Sequence, residues 1–260
     1  MTINIKTEDH IMLIEIDRPA KYNAMTREMY TKMAQAYYKL DRDDDLWVGV
    51  VYANGPHFTS GLELTDWSDA FGNGEGFPVS GEKEIDPFYM MNEERCRKPL
   101  IYAVQGYCFT WGPEVMLNAD ILVAASDTRF AMLEVRRGFF PCGGATFRLA
   151  RDIGWSNAMR YLLTGDQWTA EDAYRMGLVQ YITEPGKQLE KAMELARKVA
   201  TAAPLGVRNI LKSGRLAEKN GEAAAKKVIF QDVAEVMKSE DMKEGLQSFI
   251  ERRTAVFKGK

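Results

Sequence analysis

Apolar runs of strand length, separated by stretches with helical periodicity, recur along the first two thirds of the chain. The runs cover residues 48–53, 100–104, 121–125 and 178–182. A strand that is apolar at every position is covered on both faces, as strands of a parallel sheet are. Because helical stretches separate the runs, the pattern predicts βαβ crossovers and an α/β core.

Residues 3–17 follow a different pattern, which predicts two extended segments around a polar turn. Ile11 and Leu13 fall on one face of the second segment, and Met12 and Ile14 fall on the other. Alternation with a period of two is the mark of a strand whose faces meet different surroundings. The chain therefore opens with a predicted pair of strands.

A helix is predicted next, with Thr26 as its N-cap and Met29, Met33 and Leu40 on one face. The later stretch at residues 68–86 is rich in Gly, Ser, Asp and Glu. Such composition favours a mobile loop over a core element.

No strand pattern follows Pro185. One helical stripe ends at Pro204, and further helices are predicted to about Phe257. We therefore expect two parts, a core with the active site at residues 1–200 and an all-helical C-terminal region at residues 201–260. Apolar helical tails of this kind commonly pack against a neighbouring subunit, so the second part is the expected oligomerisation region.

Composition excludes several classes of protein. The 260 residues carry 34 basic and 37 acidic side chains, for a net charge of −3, and no basic stripe typical of a nucleic-acid binder is evident. No apolar run is long enough to span a bilayer, and the N-terminus lacks the order of a signal peptide. We expect a soluble cytoplasmic protein. Three cysteines without a CxxC pair and only two histidines predict neither a disulfide framework nor a metal site.

Two glutamates, Glu114 and Glu134, are framed by glycine and proline and offer the chain's most promising chemistry. Two carboxylates from separate backbone elements can act as acid and base on a polarised substrate. Other interpretations remain open from the residues alone. A glutamate near a helix start can simply stabilise the helix dipole, and Glu134 could form a surface ion pair with Arg136 or Arg137.

The same region offers two backbone donors. Gly61, in the loop after the 48–53 run, permits a turn that frees the following N–H. A second donor is expected where the 100–104 run passes through Gly106 into a helix beginning near Gly112. Two such donors meeting at one point would form an oxyanion hole. Glycine-containing turns between strand and helix are common in α/β proteins, so this pattern alone leaves the matter open.

The order of motifs resembles the crotonase (enoyl-CoA hydratase/isomerase) family over nearly the whole chain. The motifs that carry the resemblance are RPAKYNAM at 18–25, FTSGLEL at 58–64, AVQGY at 103–107, Glu114 with NADI at 118–121, FAMLE at 130–134, LTG at 163–165, AEDA at 170–173, GLV at 177–179 and EGLQSFIERR at 244–253. Each is unspecific by itself, and their shared order identifies the family.

The resemblance implies an α/β fold, a crotonase-like ββα spiral core followed by an all-helical C-terminal region, assembled as a homotrimer or a dimer of trimers. It implies an enoyl-CoA hydratase that adds water to the α,β double bond of an acyl-CoA thioester. The backbone N–H groups of Leu62 and Trp111 would hold the thioester oxygen. Glu114 would act as base toward water, and Glu134 would exchange the proton at the α-carbon. Coenzyme A is part of the substrate, and no further cofactor or metal is expected.

Six residues match family positions around the nucleotide half of the substrate: Lys21, Tyr22, Ser60, Leu64, Phe249 and Arg252. The last two lie on the final helix and, in family members, often complete the pocket of a neighbouring subunit. Lys21 and Arg252 could equally be ordinary solvated charges.

The chain departs from the family at Thr110-Trp111-Gly112-Pro113, where glycines are usual before the first glutamate. Pro113 is tolerable in a first helical turn, whereas the indole of Trp111 is expected to reshape the acyl pocket. Two further functions stay open: a Δ3,Δ2-enoyl-CoA isomerase or other acyl-CoA enzyme of this fold, and an inactive protein that binds CoA thioesters. Cys108 and Cys142 are expected to be small buried residues rather than nucleophiles.

Overall fold

The computed structural model describes residues 2–260, which form two sheets and ten α-helices. The larger sheet has six strands in the order β1-β2-β3-β4-β6-β9, and the smaller has three in the order β5-β7-β8. The strands are β1 Thr2–Glu8, β2 Ile11–Asp17, β3 Val48–Ala53, β4 Leu100–Val104, β5 Tyr107–Phe109, β6 Ile121–Ala125, β7 Arg129–Ala131, β8 Gln167–Thr169 and β9 Tyr181–Thr183. In the larger sheet β1 pairs antiparallel with β2, and every later pairing is parallel.

Helices follow or separate these strands, and the last three lie together at the C-terminal end of the chain. The helices are α1 Arg27–Arg42, α2 Leu64–Gly72, α3 Trp111–Met116, α4 Ala145–Ile153, α5 Trp155–Thr164, α6 Ala170–Arg175, α7 Gln188–Ala200, α8 Pro204–Asn220, α9 Glu222–Val236 and α10 Glu240–Glu251. The predicted α/β class with a helical C-terminal region is therefore confirmed.

The apolar runs predicted the central strands well. Three of them coincide with β3, β4 and β6, and every residue of these strands is buried except Tyr52 and Ile121, which are half-buried. The run at residues 178–182 is displaced, because β9 begins only at Tyr181. Leu178 and Val179 are buried instead in the turn after α6, where the N–H of Leu178 donates to Ala173 O at 2.9 Å. An apolar run predicts burial more reliably than it predicts the strand register.

Both faces of β2 are used, as its alternation predicts. Met12 and Ile14 belong to the main core, whereas Ile11 and Leu13 pack in a second core beneath α7. Helix α1 begins where expected, with the Thr26 hydroxyl accepting the N–H of Met29 at 3.2 Å. The larger sheet is thus covered on both sides, which explains why its parallel strands are apolar throughout.

The prediction of a loop without core residues at 68–86 is wrong. The first part continues α2, and Phe77 and Ile85 belong to the main core. The Phe77 ring stacks on that of Tyr30 with centroids 5.1 Å apart, and the N–H of Ile85 donates to Ala34 O at 3.0 Å. Isolated apolar residues, Phe77 and Ile85, attach this segment to the core. The surrounding polar and glycine residues gave no pattern from which their burial could be predicted.

Within residues 2–260 no strand follows Thr183, and α8 to α10 occupy the C-terminal part of the chain. Several apolar side chains of these helices are exposed, among them Ile210 at 73%, Phe230 at 83% and Phe249 at 82%. The division of the chain at residue 200 stays a prediction. Across the described residues, no helix combines the length and apolar character that crossing a membrane requires.

Candidate active site

A cavity of about 210 Å³ lies where the loops after β3 and β5 meet the loop after β7. Its lining residues are Ser60, Leu62, Leu64, Thr110, Trp111, Glu114, Leu133, Glu134, Arg137, Phe139 and Cys142. Both predicted catalytic glutamates and both predicted oxyanion donors therefore line a single cavity. The loops that follow parallel strands are the usual place for a site in an α/β sheet.

The first predicted donor, the N–H of Leu62, lies in a tightly held turn. The N–H of Met25 donates to Gly61 O at 2.8 Å, and the N–H of Glu63 donates to Met25 O at 2.9 Å. The Gly61 N–H is taken by Thr59 Oγ1 at 3.0 Å. Gly61 has φ of 115°, which favours glycine. Among residues 2–260 no group accepts the N–H of Leu62, which is left available at the cavity.

The second predicted donor, the N–H of Trp111, is the first of α3. A first helical N–H has no partner within its own helix, and nothing else in the described chain accepts this one. The indole of Trp111 is 1% exposed and packs between Phe58 and Phe88, with ring centroids 6.3 Å and 6.2 Å away. Pro113 occupies the first turn of the helix, as expected. The bulky turn therefore keeps its donor and places the indole in the core.

Glu114 is 4% exposed and firmly oriented. Its Oε1 accepts the backbone N–H groups of Gly143 at 2.8 Å and Ala145 at 3.1 Å. A Cβ at Gly143 would lie 2.7 Å from the Phe88 ring and 2.9 Å from Glu114 Oε2. Glycine is required at 143 because only a bare backbone can approach the carboxylate this closely.

Glu134 is 3% exposed and begins a short 3-10 helix that ends at Arg137. Its Oε2 is buried and has no hydrogen-bond partner within residues 2–260. The surface ion pair considered from the sequence is not formed, since Arg136 pairs with Asp166 at 2.5 Å instead. A buried carboxylate oxygen without a partner is costly, and in a cavity it indicates a group kept free for a ligand.

Burial raises the pKa of both acids, to about 8 for Glu114 and about 7 for Glu134. Repulsion from Glu134 adds to the shift at Glu114, while the N–H bonds from Ala145 and Gly143 oppose it. This repulsion couples the titration of Glu114 to the charge state of Glu134. With both pKa values raised, either carboxyl can hold a proton near neutral pH. A pair with one protonated and one ionised member can give a proton at one carboxyl and accept one at the other.

A buried arginine supports this arrangement from behind. Arg148 is 8% exposed, and its Nη1 donates to Phe88 O at 2.7 Å and to Gly143 O at 3.1 Å. Its charge also opposes the raised pKa of Glu114. Arg148 thus fixes the loop whose N–H groups orient Glu114.

The cysteines are poor nucleophiles. Cys108 is fully buried, and burial raises the pKa of its thiol well above the usual range. Cys142 is partly buried at the cavity, and burial raises its pKa to about 12. Both thiols stay protonated at neutral pH, in agreement with the sequence expectation for their chemistry.

The predicted CoA contacts divide into two groups. Ser60 and Leu64 line the cavity, and the N–H of Ser60 donates to Tyr22 O at 2.8 Å, which places Tyr22 and Lys21 beside it. Tyr22 is 54% exposed, and its ring centroid lies 5.2 Å from that of His57. The other two, Phe249 and Arg252, are exposed at the end of α10 and do not line the cavity. The roles of all six stay predictions.

Four lining residues were not predicted: Thr110, Leu133, Arg137 and Phe139. Thr110 directly precedes the Trp111 donor in the sequence, and this adjacency is the signal that could have identified Thr110 as a lining residue. The other three flank Glu134 in and around an irregular turn, where no periodicity tells which side chains face inward.

Comparison with known proteins decides the family. The family model for enoyl-CoA hydratase/isomerase matches residues 6–260. The chain belongs to the enoyl-CoA hydratase/isomerase family. The family resemblance drawn from the motifs is therefore confirmed. The prediction of a crotonase fold and the prediction that the protein is an enzyme of this family are confirmed as well.

Relatives and solved structures of the enoyl-CoA hydratase/isomerase family match the chain from end to end. The enoyl-CoA hydratase EchA19 of Mycobacterium tuberculosis is 33% identical over 98% of this chain and 96% of its own length. The 2,3-dehydroadipyl-CoA hydratase of Escherichia coli is 28% identical over 98% of each. The crystal structure of a probable enoyl-CoA hydratase/isomerase from Mycobacterium abscessus superposes with a TM-score of 0.95, at 39% identity, over 100% of this chain and 99% of that one.

Proposed function

We propose that the protein is an enoyl-CoA hydratase that uses Glu114 and Glu134 as its acid–base pair. The observation that carries the proposal is the meeting, in one cavity, of two buried carboxyls of raised pKa and two unpaired backbone N–H groups. An acyl-CoA thioester uses both features. Its double bond needs a proton taken from water and a proton given to carbon, and its oxygen gathers charge on the way.

In the proposed reaction the N–H groups of Leu62 and Trp111 hold the thioester oxygen. Glu114 takes a proton from water while the water oxygen bonds to the β-carbon, and the double-bond electrons move onto the thioester oxygen. The enolate then collapses as its α-carbon takes a proton from Glu134. The product is a 3-hydroxyacyl-CoA, and proton exchange between the two acids restores the starting state. Coenzyme A enters as part of the substrate, and no other cofactor takes part.

The nucleotide half of the substrate is proposed to lie along Lys21, Tyr22, Ser60 and Leu64. Two of these four residues, Ser60 and Leu64, line the cavity, which supports this placement of the nucleotide. Phe249 is proposed to reach the site of a neighbouring copy, together with Arg252, in a trimer or a dimer of trimers. The high exposure of Phe249 within one chain fits that role, and light scattering of the purified protein tests the assembly.

Hydration of crotonyl-CoA and of longer 2-enoyl-CoAs, followed by the loss of conjugated absorbance, tests the reaction. Wild-type protein should hydrate at least one of them, and Glu114→Gln and Glu134→Gln should each lower kcat by about 10²-fold or more. Movement of the double bond in 3-enoyl-CoAs without hydration would establish the isomerase instead. Tight binding of CoA thioesters without any turnover would establish the binding protein.

A further inference from the structure

Thr110 has a backbone conformation that threonine disfavours. Its φ of 49° and ψ of −98° fall where β-branched side chains are strained and glycine is not. The turn is fixed from both sides. The N–H of Thr110 donates to Ala131 O at 2.7 Å, and its carbonyl accepts the N–H of Glu114 at 3.4 Å. Strained residues of this kind persist mainly where the side chain has a use.

The hydroxyl of Thr110 packs against the turn that carries one proposed oxyanion donor, and Thr110 itself directly precedes the other. A Cβ added to Gly61 would lie 2.1 Å from Thr110 Oγ1, so this oxygen packs directly over the α-carbon of Gly61. Leu62, with one free N–H, follows Gly61, and Trp111, with the other, follows Thr110. Thr110 lines the cavity, and within residues 2–260 its hydroxyl has no hydrogen-bond partner.

We propose that the Thr110 hydroxyl is a third hydrogen-bond donor to the thioester oxygen, beside the N–H groups of Leu62 and Trp111. This inference rests on the proposed function and adds a residue to its oxyanion hole. A hydroxyl rotates to follow its acceptor, and a hydrogen bond to a charged acceptor is stronger than one to a neutral acceptor. The contact therefore strengthens as charge moves onto the oxygen, which lowers the barrier more than it improves substrate binding.

A chromophoric substrate analogue reports this contact without turnover. The absorption band of p-dimethylaminocinnamoyl-CoA moves to longer wavelength when its thioester carbonyl is polarised. The band is compared for the analogue bound to wild-type protein and to Thr110→Val, Thr110→Gly and Thr110→Ser. The matched control is Thr128→Val, which removes another buried hydroxyl that bonds Val104 O at 3.3 Å outside the cavity.

The band shift should be clearly smaller in Thr110→Val and Thr110→Gly than in wild type, return in Thr110→Ser, and be retained in Thr128→Val. With crotonyl-CoA, kcat should fall about 10-fold in the first two variants with KM little changed, as for the loss of one hydrogen bond to a charged acceptor. Thr110→Gly should also unfold about 2–4 °C higher than wild type, because glycine relieves the strain. Lower activity with a more stable fold is a combination that a purely structural threonine would not give.

Two outcomes overturn the inference in different ways. A wild-type band that shifts, with an equal shift in Thr110→Val, removes Thr110 from the oxyanion hole and leaves the proposed function standing. Bound analogue whose band does not shift in wild type removes the oxyanion hole itself, and the proposed function falls together with this inference.

Discussion

Two turns deliver the proposed oxyanion donors, and they solve the same problem with different residues. The turn after β3 uses Gly61 at φ of 115° to free the N–H of Leu62. The turn after β5 uses Thr110 at φ of 49° to free the N–H of Trp111. Each turn is followed by a glutamate, but Glu63 is partly exposed and paired with Arg18, whereas Glu114 is buried and has no counter-ion in direct contact within residues 2–260.

The difference shows how a turn can dispense with glycine. Gly61 has no room for a side chain, because Thr110 fills that space. Thr110 has room for a side chain, which lines the cavity, and hydrogen bonds to Ala131 and Glu114 hold its backbone in the strained conformation. The turn at Gly61 therefore requires glycine both for space and for conformation. At Thr110 only the conformation is unfavourable for a residue with a side chain.

Removing the bulky side chain of the donor residue in the second turn should have the largest effect. Trp111→Gly keeps the backbone N–H but removes an indole that is 1% exposed in the main core. Loss of a buried tryptophan costs about 3–5 kcal/mol of unfolding free energy. The space left beside Phe88 should also admit longer or branched acyl groups. Urea unfolding and kcat/KM across a series of 2-enoyl-CoAs measure both effects.

Trp168→Ala is the matched control for that change, because Trp168 is equally buried but does not line the cavity. It should lose comparable stability and keep the wild-type order of preference among acyl groups. An unchanged order of preference in Trp111→Gly would show that the indole does not shape the acyl pocket.

Making the first turn resemble the second should mainly affect the rate. In Gly61→Ala the new Cβ would lie 2.1 Å from Thr110 Oγ1 in a backbone that L-residues rarely adopt. The turn must shift, and the N–H of Leu62 moves with it. Removal of one oxyanion donor costs about 10²–10³-fold in kcat, or about 3–4 kcal/mol. Stopped-flow or steady-state hydration of crotonyl-CoA measures the loss.

The control for Gly61→Ala is Gly74→Ala, which has a φ of 75° but nothing within 4 Å of the new Cβ. It should lose stability through backbone strain alone and keep its rate. The double variant Gly61→Ala/Thr110→Gly removes the contact and should recover part of the stability. Full activity in Gly61→Ala would separate this turn from the oxyanion hole.

Glu114, the acid after the second turn, and its neighbour Glu134 should make the unfolding free energy depend on pH. Both Glu114 and Glu134 have a folded-state pKa raised above 4.5, to about 8 and about 7. The folded state therefore holds their protons more tightly than the unfolded chain does. Their contribution is fully present below about pH 4.5 and is lost as pH rises through about 7 to 8. Each pKa unit corresponds to about 1.4 kcal/mol.

We expect wild-type protein to lose up to about 6 kcal/mol of unfolding free energy from this source between about pH 5 and pH 8. Glu114→Gln/Glu134→Gln should lose less over the same range, and the exposed Glu171→Gln should follow wild type. Urea unfolding at several pH values measures the difference. Parallel curves for wild type and the double variant would mean that the two acids are not perturbed by burial.

The sequence predicted the residues that line the site better than it predicted the segment around Phe88, which packs against the ring of Trp111. Glu114, Glu134, Leu62 and Trp111 were found because motif order places them, and all four line the cavity. Phe88 was missed because nothing in its local pattern shows that Asp86 fixes its segment. Four donors bond the Asp86 carboxylate, from Tyr30, Phe88, Met90 and Met91. A contact between Tyr30 and Asp86 spans 56 positions, and neither periodicity nor turn chemistry carries information over that distance.

Substitution of Glu63, the acid after the first turn, should have the smallest effect on stability. Its contribution to stability is lost as pH falls, whereas that of Glu114 and Glu134 is lost as pH rises. The hydrogen bond and charge of Arg18 hold the pKa of Glu63 below its usual value. Glu63→Gln should cost about 0.5–1 kcal/mol near pH 7, a difference that disappears as pH falls below the folded-state pKa. Arg18→Gln should cost more, because Arg18 Nη1 also donates to Ala24 O at 2.9 Å. A double-mutant cycle by urea unfolding isolates the pair. A coupling energy that stays constant from about pH 7 to pH 3 would show that the bond does not depend on the ionised carboxylate.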